Sequence, residues 1–278
     1  MIKKLCAIGI TLLLMVVLTG CGEETDEEVI ESLIMSDTIW FNANTTVDST
    51  STSSSASRDT TIVWWRGVQT HNDPTIEINI VGDSAWVSWQ RSNYGHLYSL
   101  AKWDTLPWVL WTKQLSETAQ ICATFLRTGT TSDENRGWQI HSISLAYGES
   151  DSVNTVRIDS LRIESLSYPD LVIKDPLNTF YRVDSLLTFT SGESVTLTLY
   201  TNVVDGHAFL HSFILAWPYY VRLPFTNQGE GVYQGTWNAQ IIAVPRFAIF
   251  DLLSNSTLYT SEDIYDFNGW LLPYTISE

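Results

Sequence analysis

The clearest fold signal in this chain is the stretch Ile76-Glu77-Ile78-Asn79-Ile80-Val81-Gly82-Asp83-Ser84-Ala85-Trp86-Val87-Ser88-Trp89. Apolar and polar residues alternate on both sides of Gly82-Asp83, as they do where successive side chains of a strand point to opposite faces. Gly-Asp between two such runs is a turn signal. The stretch therefore predicts a β-hairpin with one buried face.

The strand pattern continues after this hairpin. Further strands are predicted at residues 94–103, 118–127 and 138–146, and Pro107 interrupts the alternation before Trp108. Residues 149–154 are polar and predict a joint between two domains.

A short helix and a loop are predicted before the hairpin. Val29, Ile30, Leu33 and Ile34 recur at helical spacing after a run of acidic residues, which predicts a helix at about residues 25–36. Residues 48–58 are rich in Ser and Thr and predict a flexible loop.

The order of these elements resembles the nuclear transport factor 2-like fold over roughly residues 25–148. The resemblance rests on the hairpin Ile78–Val87, the strand Thr118–Arg127 and the run Gly137-Trp138-Gln139-Ile140-His141-Ser142-Ile143-Ser144. It implies an α+β cone-like curved antiparallel sheet with an N-terminal helix, over residues 29–148. That family usually closes its cone with three N-terminal helices, whereas residues 37–65 have no helical pattern. A different curved sheet or a barrel is the alternative.

Residues 155–278 read as short strands separated by turns. Alternating runs occur at residues 195–200, 231–237 and 246–251. The spacing predicts an all-β sandwich that resembles immunoglobulin-like modules of exported bacterial proteins, although the Cys-Trp-Cys core signature is absent.

The N-terminus has the pattern of an export signal. Lys3 and Lys4 precede an apolar run over residues 5–18 that is too short to span a bilayer. The following Leu18-Thr19-Gly20-Cys21 resembles the bacterial lipobox. The resemblance implies a signal peptide at residues 1–20, cleavage between Gly20 and Cys21, and a diacylglyceryl group, with further acylation such as palmitate, on Cys21.

The predicted location is therefore extracytoplasmic, on the periplasmic face or the cell surface. Residues 21–28 form an acidic tether between the lipid and the fold, and the membrane is the predicted partner. An ordinary secretory signal or an uncleaved anchor is the alternative.

The composition argues against nucleic acid and anionic lipid as partners and against an internal disulfide. The chain has 15 basic and 31 acidic residues, a net charge of −16. Loss of Lys3 and Lys4 makes the net charge about −18, which argues against nucleic acid and anionic lipid as partners. Cys122 is the one cysteine left besides Cys21, so no internal disulfide forms, and its apolar neighbours predict a buried thiol rather than a catalytic one.

Two histidines are candidates for catalysis. By the family resemblance, His96 and His141 are candidates for an acid–base group in a cone cavity, although histidines with a purely structural role are more common. His207 and His211 are predicted on a strand, where positions four apart are separated by about 13 Å, too far for one metal ion. No metal or cofactor site is predicted.

Tryptophan is the compositional outlier, and nine of the 12 fall between Trp40 and Trp138. Rings exposed on a concave sheet bind sugars by stacking, whereas buried rings fill a core. The candidate binding residues are Trp86, Trp89, Trp103 and Trp138. The predicted function is binding of a ligand or envelope partner without catalysis. The alternatives are an extracytoplasmic hydrolase or isomerase that uses a cavity histidine, and a structural component of an envelope assembly.

Overall fold

The structure is a computed structural model that describes residues 24–41, 54–57, 60–103, 107–213, 220–239 and 246–278. Of the described residues, 60% are in strands and 9% are helical. In chain order the helices are α1 (Asp26–Ser36), a 3-10 turn (Glu134–Gly137) and α2 (Asn255–Tyr259). The strands are β1 (Ser54–Ser57), β2 (Thr60–Arg66), β3 (Thr70–His71), β4 (Thr75–Val81), β5 (Ser84–Trp103), β6 (Val109–Arg127), β7 (Trp138–Ser144), β8 (Ala146–Ser150), β9 (Ile158–Glu164), β10 (Leu171–Ile173), β11 (Phe180–Arg182), β12 (Leu187–Thr190), β13 (Ser194–Thr201), β14 (His207–Phe213), β15 (Tyr220–Pro224), β16 (Thr226–Gly229), β17 (Val232–Asn238), β18 (Arg246–Leu253) and β19 (Phe267–Ser277).

The hairpin predicted around Gly82-Asp83 is confirmed as β4 and β5. Ile78 pairs with Val87 and Ile80 with Ala85, so the apolar residues of both strands share one face. The strand predicted at 94–103 is not separate, because β5 runs without a break for 20 residues. It pairs along almost its whole length with β6, and Pro107 lies in the connection between them rather than inside a strand.

The predicted N-terminal helix is also confirmed. Thr25 and Glu28 form a capping box, in which each side chain accepts a hydrogen bond from the other residue's backbone N–H. Val29, Ile30 and Ile34 are buried in a core cluster that also contains Val87 and Trp89. Burial of this apolar face therefore fixes α1 on the inner face of the sheet.

One large antiparallel-rich sheet crosses the joint predicted at residues 149–154. Its main order is β1-β2-β5-β6-β8-β19-β18-β14-β15. The short strand β8 pairs with β6 on one side and with β19 on the other. The division into domains at 29–148 and 155–278 stays a prediction, in a chain whose two halves share hydrogen-bonded strands.

The expected α+β cone is wrong. The described residues form a curled, mostly antiparallel sheet with two α-helices, and α1 has only 11 residues. Residues 60–66, part of the region where the cone family carries helices, form β2 and pair with β5. Within the predicted loop at 48–58, Ser54–Ser57 form β1, and the rest of that loop lies outside the described residues.

A second sheet covers part of the first. Its order is β10-β9-β13-β17-β16. Apolar residues from both sheets, among them Leu197 and Trp237 of the second and Phe250 and Trp270 of the first, belong to one buried cluster. The C-terminal half is therefore a two-layered β structure, as predicted, while its likeness to immunoglobulin modules stays a prediction.

The outer face of the large sheet, which is the face opposite α1, is apolar in one part and largely polar in another. On β18 and β19 it is apolar, because the second sheet packs over Phe250, Leu252 and Leu272. On β5 and β6 most of the outward residues are polar or aromatic, and Tyr94 and His96 are exposed. The boundary between these two regions lies at β8.

Candidate functional site

A polar cleft of about 320 Å³ lies on the outer face where β5 and β6 meet β8. Strand register brings its floor together, since Gln90 pairs with Gln120 and Gln120 pairs with Tyr147. We define the polar cleft by its eight lining residues, Gln90, Thr118, Gln120, Tyr147, Glu149, Ser150, Asp151 and Asn154.

Hydrogen bonds hold several side chains of the polar cleft in place. The Tyr147 hydroxyl donates to Glu149 Oε2 at 2.6 Å, and Thr118 Oγ1 donates to Asp151 Oδ1 at 2.7 Å. Gln120 Nε2 donates to Ser88 Oγ at 3.1 Å. Burial, together with the bond to Glu149, raises the pKa of Tyr147, so this phenol stays protonated at neutral pH.

The polar cleft therefore presents a fixed phenol ring, amides and two carboxylates around a space open to solvent. Such groups can donate and accept several hydrogen bonds at once, as ligand sites with a few converging polar groups do. Among the groups that line it there is no histidine, cysteine or lysine. This lining can hold a polar ligand through several hydrogen bonds at once.

The tryptophan candidates separate between the two faces of the sheet. Trp89 and Trp138 are 3% and 1% exposed and lie in the core below α1, where Arg91 and Arg127 stack over their rings. Trp86 points outward and is 42% exposed. The side chain of Trp103 falls outside the part that the structure describes. Of the three described candidates, Trp86, Trp89 and Trp138, none lines the polar cleft.

Trp86 lies at a second depression of the same face. This apolar cleft of about 320 Å³ is lined by Asn79, Val81, Ser84, Ala85, Trp86, Thr124, Phe125 and Leu126. The Phe180 ring packs against Trp86 at 4.8 Å between centroids and leaves the rest of the indole accessible.

The two histidine candidates do not come together in one site. His96 is exposed on β5 beside Tyr98, and His141 is half-buried on β7. Asp184, an exposed carboxylate near His141, is hydrogen-bonded to Arg182, and this bond lowers its pKa more than the nearby His141 does. Neither histidine lines the polar cleft. The structure therefore gives neither residue the hydrogen-bonded acid partner in a cavity that the enzyme hypothesis needs.

A histidine paired with a carboxylate does occur, but deep in the interior. We define the charge network as Arg66, His211, Asp251 and Tyr265, which join β2, β14, β18 and the segment before β19. Arg66 donates to both Asp251 oxygens, at 2.7 and 2.9 Å, and to the Tyr265 hydroxyl at 3.0 Å. His211 Nε2 lies 2.9 Å from Asp251 Oδ2, and the side chains of Arg66, His211 and Asp251 are fully buried.

The charges in this network shift its pKa values strongly. Burial alone would raise the pKa of Asp251, but Arg66 and His211 outweigh it and hold that pKa well below its usual range. Burial lowers the pKa of His211 to about 4, and the nearby guanidinium of Arg222 adds to the shift. Asp251 is therefore ionised and His211 neutral at pH 7, in a place that lines neither cleft. We assign the charge network to fold stability.

His207 and His211 lie on β14, as the predicted strand requires. Across the described ranges there is no group of three or more His, Cys, Asp or Glu side chains placed to hold a metal ion. Cys122 is buried, and burial raises the pKa of its thiol, as expected of a structural cysteine.

The predicted lipid attachment residue Cys21 and the predicted cleavage site after Gly20 lie outside the described residues. No helix within the described part is long and apolar enough to cross a membrane.

Sequence reasoning missed the polar cleft and the charge network. The outward residues Gln114, Ser116, Thr118 and Gln120 do alternate with inward residues of β6, so a polar face was readable. Its meeting with Tyr147 and Glu149 depends on which strands pair, and the pattern of one strand does not show its neighbours. Arg66 and Asp251 are 185 residues apart, and no local signal links them.

Comparison with protein family models, with curated proteins and with solved structures gave no match to this chain.

Proposed function

We propose that this chain is an exported, lipid-anchored binding protein whose polar cleft takes a neutral oligosaccharide. The observation that carries the proposal is the cleft itself, a solvent-accessible space of about 320 Å³ lined by an aromatic ring, amides and carboxylates. The anchor is supported by the lipobox pattern Leu18-Thr19-Gly20-Cys21. No catalytic step is part of the proposal.

The lining favours sugars over other small ligands. Sugar hydroxyls both donate and accept hydrogen bonds, and Gln90, Gln120 and Asn154 offer amide groups of both kinds. Glu149 and Asp151 accept from hydroxyls but repel anionic ligands. The strongly acidic balance of the whole chain acts in the same direction.

The anchor is tested by metabolic labelling with radioactive palmitate. Wild type is expected to take up label and Cys21→Ala to take up none, because the acyl groups are joined through that residue. Immunoprecipitation of the chain separates its label from that of other lipoproteins in the cell. An unlabelled wild type, or a labelled Cys21→Ala, would contradict the anchor.

The ligand is tested by titrating the full chain, held in a detergent without sugar groups, with a panel of neutral oligosaccharides. The double variant Gln90→Ala, Gln120→Ala is expected to bind at least about tenfold more weakly than wild type, since two hydrogen-bonding amides are lost. Isothermal titration calorimetry measures both dissociation constants.

A matched control is Gln234→Ala on β17, which removes an exposed glutamine from the second sheet and leaves the polar cleft intact. This variant is expected to bind like wild type. The proposal is wrong if no neutral oligosaccharide binds, or if the double variant binds as tightly as wild type.

A further inference from the structure

The start of the fold is fixed at one end of the long β5–β6 hairpin. Asp26, the first residue of α1, accepts from Arg136 Nε at 2.9 Å and forms an ion pair with Arg127 at the end of β6. Arg127 Nε also lies 4.0 Å from Asp83 in the β4–β5 turn. The position at which the chain enters the fold is therefore beside this turn.

The link between that entry point and the lipid is short. Cys21 precedes Asp26 by five residues, and a fully extended chain spans at most about 3.5 Å per residue. A lipid on Cys21 therefore keeps Asp26 within about 18 Å of the anchored residue. The turn beside Asp26 must then lie close to the membrane.

Apolar side chains are exposed at this same end. Val81, the last residue before the Gly82-Asp83 turn, is 72% exposed, and Trp86 is 42% exposed. Together with Leu126 they line the apolar cleft. Trp, like Tyr, suits the boundary between lipid headgroups and hydrocarbon, because its ring is apolar and its N–H is a donor.

We propose that the apolar cleft around Val81 and Trp86 docks on the headgroup interface of the bilayer that holds the Cys21 lipid, and that this interface has no net charge. This inference rests on the lipid anchor of the proposed function. A zwitterionic surface is the matching partner, since the exposed Asp83 in the turn and the negative net charge disfavour anionic lipid. Docking at this end leaves the rest of the hairpin, and the polar cleft along it, directed away from the membrane.

A second exposed tryptophan, far from the apolar cleft, provides a control for Trp86. Trp108, just before β6, is 48% exposed, close to the value for Trp86. Its neighbour Val109 pairs with Ala101, which is 15 residues further along β5 than Trp86. At 3.3 Å per residue, about 50 Å of strand separate the two tryptophans. They therefore match in exposure but lie at opposite ends of the hairpin.

The test uses the lipidated full chain in phosphatidylcholine vesicles whose acyl chains carry bromine, which quenches tryptophan fluorescence at short range. Wild type is expected to be quenched, Trp86→Phe to lose most of that quenching, and Trp108→Phe to be quenched like wild type. Val81→Asp, a change at an exposed position, is expected to reduce the quenching, whereas Val109→Asp is not.

Thermal unfolding of each variant confirms that the fold is retained. Equal quenching of Trp86→Phe and wild type, or a loss of quenching in Trp108→Phe instead, would overturn the docking site. Mass spectrometry of the same samples distinguishes a failure of the lipid anchor from a failure of the docking. A chain without lipid on Cys21 overturns both. A correctly lipidated chain that is not quenched at Trp86 overturns the docking alone.

Discussion

Replacing Asp251 by alanine is expected to lower the free energy of unfolding by about 3–5 kcal/mol, the loss typical of breaking a buried ion pair from one side. The change leaves the Arg66 guanidinium buried without the carboxylate that accepts two of its hydrogen bonds. It also removes the partner of His211 Nε2. Urea denaturation followed by fluorescence measures the loss.

Two further variants test whether the loss of stability in Asp251→Ala comes from the unpaired buried charge. The double variant Arg66→Met, Asp251→Leu removes both charges and is expected to be more stable than Asp251→Ala alone. Asp159→Ala removes an exposed partner of Arg157 and is expected to leave the urea midpoint nearly unchanged. If Asp251→Ala behaves like Asp159→Ala, the charge network does not have the stabilising role assigned to it.

The free energy of unfolding is expected to fall as the pH is lowered from about 6.5 to about 4. His211 alone accounts for up to about 3 kcal/mol of this loss. The folded state holds the pKa of His211 at about 4, whereas an unfolded histidine titrates near its ordinary value of about 6.5. Between these two values the unfolded chain binds a proton that the folded chain does not, so acid favours unfolding. The charged groups that face His211 are Asp251, which opposes the shift, and Arg66 and Arg222, which add to it.

The variant His211→Gln tests this origin, because glutamine keeps a polar group near Asp251 but does not titrate. Its stability is expected to vary less than that of wild type between pH 7 and about pH 4.5, as measured by urea midpoints at each pH. The same replacement at the exposed His96, outside the charge network, provides the control. A wild-type slope in His211→Gln would show that other groups cause the acid sensitivity.

Local elements of the fold were predictable because their signals are local. The alternation around Gly82-Asp83 and the helical spacing from Val29 to Ile34 each follow from side chains that must share one face. The fold class was not predictable in the same way. A helix followed by a hairpin is compatible with a cone, and what excludes the cone is the pairing of β8 with β19 and of β2 with β5.

The residues of the candidate site were likewise predictable only where their signals are local. Trp86 and Trp89 lie three residues apart on β5, so they point to opposite faces of the sheet, and only Trp86 is exposed. The pattern of this strand does not tell which face is covered, since that depends on where α1 packs and on where the second sheet ends. Tyr147 and Glu149 became visible as a site only once β8 was placed beside β6.

The central place of β8 in the large sheet bears on how the chain folds. Its pairing with β6 joins residues about 30 apart, but its pairing with β19 joins residues as much as 125 apart, as with Leu271 and Ala146. Until β19 arrives, one edge of β8 has unpaired backbone groups that attract other strands. Such distant pairings form slowly because a long loop must close first. The N-terminal half of the sheet therefore stays incomplete until β19 pairs, and the unpaired edge exposes the chain to aggregation during that time.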